Sequence, residues 1–157
     1  MLIRAFLLLA LTASPALAWE VDGFRSGMPE AEAVAKLEQR GSVHGYDFGV
    51  QSRGYFIVKE PGPSLTLCAG RLVSIKTEVA GGWHTFIRLV DREERTRGQG
   101  GHAIRSEETS VGPVSRSMFF WWKGQEKITV EYQLINTQTP RVYRHFTVAN
   151  LCNIEGG

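Results

Sequence analysis

Arg116-Ser117-Met118-Phe119-Phe120-Trp121-Trp122-Lys123-Gly124-Gln125-Glu126-Lys127-Ile128-Thr129-Val130-Glu131-Tyr132-Gln133-Leu134 is the stretch that decides the fold. In its second half Ile128, Val130, Tyr132 and Leu134 alternate with Lys127, Thr129, Glu131 and Gln133, the period-2 pattern of a strand buried on one face. Its first half, Arg116 to Trp122, is aromatic on both parities, which reads either as a strand buried on both faces or as one that presents an aromatic patch for binding. A two-residue loop, Gly124-Gln125, joins the halves as a glycine-first hairpin and sets Lys123 opposite Glu126. In that register Trp121 faces Ile128 on the core side and Trp122 faces Lys127 on the other. A three-residue loop, Lys123 to Gln125, would exchange the two faces. The shorter loop is preferred because it pairs opposite charges beside the turn.

Outward from this hairpin the same period recurs. Val73, Ile75, Thr77 and Val79 alternate with Ser74, Lys76 and Glu78, Leu65 and Leu67 alternate with Ser64, Thr66 and Cys68, and Tyr55 to Lys59 and Val142 to Ala149 are rich in aromatic and β-branched residues. Pro61-Gly62-Pro63, Ala69-Gly70 and Gly81-Gly82 punctuate these runs. Two segments carry the helical period instead. Residues 29–40 start at Pro29, place Glu30 and Glu32 in the first turn, and stop at Gly41. From Trp83, the residues Trp83, Phe86, Ile87 and Val90 fall at i, i+3, i+4 and i+7, and Gly98-Gln99-Gly100-Gly101 ends the helix. Asp91 and Arg95, and Glu93 and Arg97, form i,i+4 pairs in the favourable order, as expected of a solvated helix face. Helix then about three strands, twice over, predicts an α+β domain with two helices packed on an antiparallel sheet. It reads as a degenerate tandem αβββ repeat with half-units 19–80 and 81–157.

Residues 1–18 form a secretory signal peptide by pattern: Arg4, then the apolar stretch Ala5 to Ala13, then Ala16-Leu17-Ala18 as an A-x-A cleavage site. The apolar run is shorter than the ~20 residues of a membrane-spanning helix. Position 19 is tryptophan, so the cysteine that would carry a lipid after cleavage is missing, and no membrane anchor is expected. A periplasmic or secreted location follows. In that oxidising compartment Cys68 and Cys152 are expected to pair, closing a loop of 152 − 68 = 84 residues. Without Arg4 the chain has 17 basic and 16 acidic residues, a net charge of +1. The arginines 88, 92, 95 and 97 are interleaved with acids, so nucleic acid is not an expected partner.

Gly27-Met28-Pro29-Glu30, with Val34, Leu37 and Gly41 behind it, then Leu65 to Leu67 and Gly70-Arg71-Leu72-Val73, resembles a pattern in the SmpA/BamE outer-membrane assembly lipoproteins and in the repeat of β-lactamase inhibitor protein. In those families a helix start of this type leads to a glycine and then to antiparallel strands with a G-x-L hairpin. The resemblance covers residues 23–79. It departs from the family in the missing lipid-bearing cysteine and in Met28, which stands where a polar helix cap is usual. It implies a small envelope domain that binds without catalysis.

Signatures of chemistry are absent from the sequence. His44, His84, His102 and His145 lack ligand spacing, so no metal and no cofactor is expected, and no G-x-S-x-G or Cys/His nucleophile pattern occurs. Alternation puts Arg141, Tyr143 and His145 on one strand face and Arg144 on the other. The expected function is a non-enzymatic binding or accessory protein of the envelope, with a protein or polymer partner. Its binding surface would be the aromatic sheet face around Phe120 and Trp122, with a charged rim at Arg141 and Arg144, since tryptophan, tyrosine and arginine dominate binding hot spots. The alternative is a hydrolase or isomerase acting on an envelope polymer, with His102, Glu107 or Glu108 as acid or base beside the Gly-rich loop.

Overall fold

The computed structural model describes residues 19–49, 51–58, 61–110, 112–136 and 138–149. Residues 1–18, the expected signal peptide, and Cys152 lie outside the described residues. A two-stranded ribbon, β1 (Glu20–Val21) and β2 (Phe24–Arg25), leads into helix α1 (Glu30–Glu38) and four strands, β3 (Val43–Gly49), β4 (Ser52–Ile57), β5 (Ser64–Cys68) and β6 (Arg71–Val79). Helix α2 (Trp83–Arg97) is followed by four more, β7 (Gly101–Thr109), β8 (Gly112–Lys123), β9 (Glu126–Ile135) and β10 (Arg141–Val148).

This architecture corrects the α+β expectation. Among the described residues the protein is mostly β: 56% lie in strands, most of them in one eight-stranded antiparallel sheet, and the two helices are minor elements. The half-unit holds four strands rather than three, because β3 and β7 do not show the half-buried alternation that marks the others. Both are edge strands, exposed along nearly their whole length, and an edge strand can be polar or glycine-bearing on either parity. The sheet order is β3-β4-β5-β6-β10-β9-β8-β7. Read inward from either edge it runs through one half in chain order, and the halves join through β6 and β10.

Turn chemistry fixes the hairpins. Asp22 and Gly23, and Ala69 and Gly70, all have positive φ, as a two-residue loop between twisted strands requires. Gly124 at φ 60 opens the β8–β9 turn. The register there is the one the opposite charges predict: Lys123 pairs with Glu126, Trp122 with Lys127 and Trp121 with Ile128.

One face of the sheet carries the core in two clusters. In the first half Met28, Ala33 and Leu37 from around α1 pack with Phe24 and Trp19 against Leu65, Leu67, Leu72 and Ile75. The backbone of Met28 and Glu30 is bonded to Leu72 and Gly70, so the helix start is locked to the β5–β6 hairpin. In the second half Phe86, Leu89 and Val90 of α2 cover Trp121, Val130 and Val142. The buried stripe of α2 also includes Glu93, while Trp83 and Ile87 are exposed, so the helix is rotated from the expected stripe. Glu93 holds Arg97 at 2.9 Å and Arg144 at 2.7 Å, which makes it a buried ion-pair centre and not part of a solvated face. Cys68 ends β5, buried, and is not a free thiol. Among the described residues no helix is long and apolar enough to cross a membrane.

Candidate binding face

Strand alternation sends every second side chain away from the helices, and among the described residues no helix or strand lies over that opposite face. We refer to it as the open face. Its composition follows from the registers. His44, Tyr46, Phe48 and Phe56 of β3 and β4 stand at one wing, and Met118, Phe120 and Trp122 of β8 at the other. The five strand intervals between β4 and β8 separate the wings by about 24 Å at ~4.8 Å per strand.

Both wings are aromatic clusters built over glycine. Tyr46 lies 5.5 Å from Phe48 and 6.0 Å from Phe56, centroid to centroid, and His44 lies 5.3 Å from Phe56. The ring of Tyr46 covers Gly54 on the neighbouring strand, where a β-carbon would collide with it. At the other wing the ring of Phe120 covers Gly101, leaving 2.6 Å for a β-carbon there. Glycine in these positions is a packing requirement: the aromatic takes the space of the missing side chain. Lys127 Nζ sits 5.2 Å from the Phe120 ring and 5.4 Å from that of Trp122, so the ammonium rests against both.

Between the wings the face is polar and charged. Ser74 and Thr147 share a hydrogen bond of 2.9 Å across the β6–β10 junction. Beside them Glu131, only 3% exposed, gathers Lys76 Nζ at 3.4 Å, Arg116 Nε at 3.4 Å and His145 Nε2 at 2.7 Å. Burial alone would raise the Glu131 pKa. The hydrogen bond from His145 and the charges of Lys76 and Arg116 outweigh it and lower the carboxyl to about 2. His145 itself is held below its ordinary value, first by burial and then by Lys76, against the pull of Glu131. These groups floor a hollow of about 370 Å³ that extends over Ala103, Arg105, Phe120 and Lys127.

Of the residues the sequence singles out, Phe120, Trp122 and Arg141 lie on the open face, Trp122 at 54% exposed. Arg141 stands at the start of β10 beside Tyr143, with Glu78 at 3.9 Å, away from both aromatic wings. Arg144 does not belong to the surface: it points to the helix side, where its guanidinium meets Glu93. The acid–base set does not converge. His102 faces the helix side and stacks on Phe119, whereas Glu107 faces the open side and binds Arg116 at 2.7 Å. Glu108 shares the His102 face but is six residues along the strand, about 20 Å away. Among the described residues there is no group of three or more His, Cys, Asp or Glu side chains that could hold a metal ion.

The sequence reading missed the whole first wing and the charged hollow. A signal for the wing was present, since His44, Tyr46 and Phe48 recur at every second residue, but Gly45 and Gly49 masked the strand. The hollow draws on five strands, and nothing local in the chain brings Lys76, Arg105 and Lys127 together. In comparisons with known proteins, no protein-family model, curated protein or solved structure matches this chain.

Proposed function

We propose that this chain is a non-enzymatic binding module of the cell envelope, exported to the periplasm by residues 1–18, and that it docks a protein partner on the open face of its sheet. The observation that carries the reading is the pair of aromatic wings on one uncovered face with a charged hollow between them. Tyr46, Phe48 and Trp122 are about half exposed. A soluble domain rarely leaves that much aromatic surface clustered on one side without a use for it. The size of the face favours a macromolecule. Eight strands span about 34 Å and the strands run about 20 Å, giving a footprint near 700 Å². That is comparable to the ~800 Å² one partner contributes to a stable protein–protein interface. A small substrate would fill the hollow and leave the His44, Tyr46, Phe48 and Phe56 wing unused.

A photo-crosslinking amino acid placed in turn at Phe56, Trp122 and Trp83, in cells, tests the assignment. Trp83 is the control, an equally exposed aromatic on the helix side. The proposal expects the same adduct from positions 56 and 122 and none from 83. Adducts from 83 alone, or none from either wing, would refute it.

A further inference from the structure

We infer that the hollow on the open face is a carboxylate-binding site, and that the partner docking there presents an acidic segment to Arg105 and Lys127. The inference rests on the open face being the docking face. The cations around the hollow differ in how they are matched. Lys76 and Arg116 share Glu131, Arg116 also binds Glu107, and Arg141 faces Glu78. Arg105 and Lys127 have no anionic partner among the described residues, yet both line the same hollow. They start from strands on opposite sides of β8, Arg105 opposite Arg116 and Lys127 opposite Trp122, and the charge of Arg105 is felt at Lys127. Burial and the charge of Arg105 both work against ionisation of Lys127, so the two repel in the free protein. Two cations without an anionic partner, lining one hollow with the apolar side chains of Ala103, Met118 and Phe120, form an arrangement that an anion would relax.

The donors available select the kind of anion. The hollow runs from β6 to the edge strand β7; the backbone N–H groups of β8, β9 and β10 are taken up by strand ladders, those β7 leaves unpaired point outward in the plane of the sheet and not onto its face, and neither helix begins at the hollow. Phosphate sites usually draw on free backbone amides or a helix N-terminus. Here only side chains can donate: one guanidinium fork and one ammonium, which suit the two oxygens and single charge of a carboxylate. Phe120 and Trp122 offer apolar contact for the methylene stem of such a side chain. Acidic residues of a protein segment, flanked by apolar ones that reach the wings, fit this combination.

The test uses the purified protein, with the indole signal of Trp122 in NMR as reporter and three probes: a glutamate-leucine peptide with blocked ends, its glutamine counterpart, and inorganic phosphate. The acidic peptide should shift the Trp122 signal saturably, and the glutamine peptide should not. Arg105→Gln or Lys127→Gln should weaken the acidic peptide about tenfold or more, as loss of a charge-assisted hydrogen bond does. Arg105→Gln should melt no lower than the parent, because it removes a repulsion and no ion pair, whereas Lys127→Gln also gives up the contact with the Phe120 and Trp122 rings and is compared at a temperature where it is folded. Equal binding of the glutamine peptide, or phosphate binding in place of the peptide, would overturn the acidic-segment assignment. Silence from all probes, with crosslinking at Phe56 and Trp122 intact, would overturn the hollow and leave the docking face standing. Loss of the crosslinks themselves would count against the docking reading.

Discussion

Adjacent tryptophans on β8 should behave oppositely when truncated. Trp121 is 5% exposed, its Nε1 donates to the carbonyl of Gly98 at 2.9 Å, and its ring packs where a β-carbon on Gly100 would have only 2.7 Å. A buried tryptophan removes about 150–250 Å² from water. At ~25 cal/mol per Å² this corresponds to about 4–6 kcal/mol, reduced because the denatured chain already covers part of it. The orphaned Gly98 carbonyl adds to the loss, so Trp121→Ala should destabilise by about 3–5 kcal/mol. Trp122 keeps over half its surface in water and is covered mainly by the flexible Lys127, so Trp122→Ala should remove about 1–2 kcal/mol. Urea titrations followed by far-UV circular dichroism compare the two without relying on tryptophan fluorescence. Equal large losses would mean that β8 is buried on both faces and that the open face does not exist in solution.

Acid should weaken the fold through the central cluster. The carboxyl of Glu131 lies lower in the folded protein, at about 2, than its ordinary 4.5, so its stabilisation is complete above 4.5 and disappears as pH falls from 4.5 toward 2. That gap corresponds to about 3 kcal/mol. His145, also depressed in the folded state, adds a decline that starts as pH drops below 6.5. Urea midpoints measured against pH should show both limbs, and Glu131→Gln should flatten the lower one; an unchanged lower limb would contradict the assignment. Glu93→Ala strands the partly buried Arg144 and should cost about 2–3 kcal/mol with no effect on partner capture. A binding defect in that variant at full stability would return Arg144 to the interaction surface. Intact mass of periplasmic material should match a chain starting at Trp19 with two hydrogens fewer than the dithiol form, and retained signal residues or two alkylatable thiols would contradict export or the Cys68–Cys152 pairing.

The legible part of this fold is the part in which one face of each element is buried. In β9 the apolar period is continuous, in β6 and β10 it is broken only at Thr77 and Arg144, and the β8–β9 turn carries enough charge and glycine information to set its register to the residue. Edge strands escape that logic. In β7, Ile104 is 74% exposed, Ala103 stands on the opposite face and the remaining side chains are polar on both sides, so no periodicity marks it as a strand. Pairing with β8 makes it one. The apolar stripe of α2 lies elsewhere than its sequence suggests because Glu93 occupies a core-facing turn, where Arg144, 51 residues away, joins Arg97 in compensating its charge. The same non-locality hides the hollow, whose charged groups meet only when the two halves join at β6 and β10. Trp122 was visible because its role depends on a register written within one hairpin.

The central claim is that the open face of the sheet, and not the helix side, binds the partner. With the crosslinked partner purified, its affinity for the parent should be compared with that for Trp122→Ser and for Trp83→Ser, once melts show both variants folded. Trp122→Ser should weaken binding by about tenfold or more, as expected for an aromatic hot spot, and Trp83→Ser should leave it unchanged. Undiminished binding by Trp122→Ser, or a loss confined to Trp83→Ser, would contradict the account.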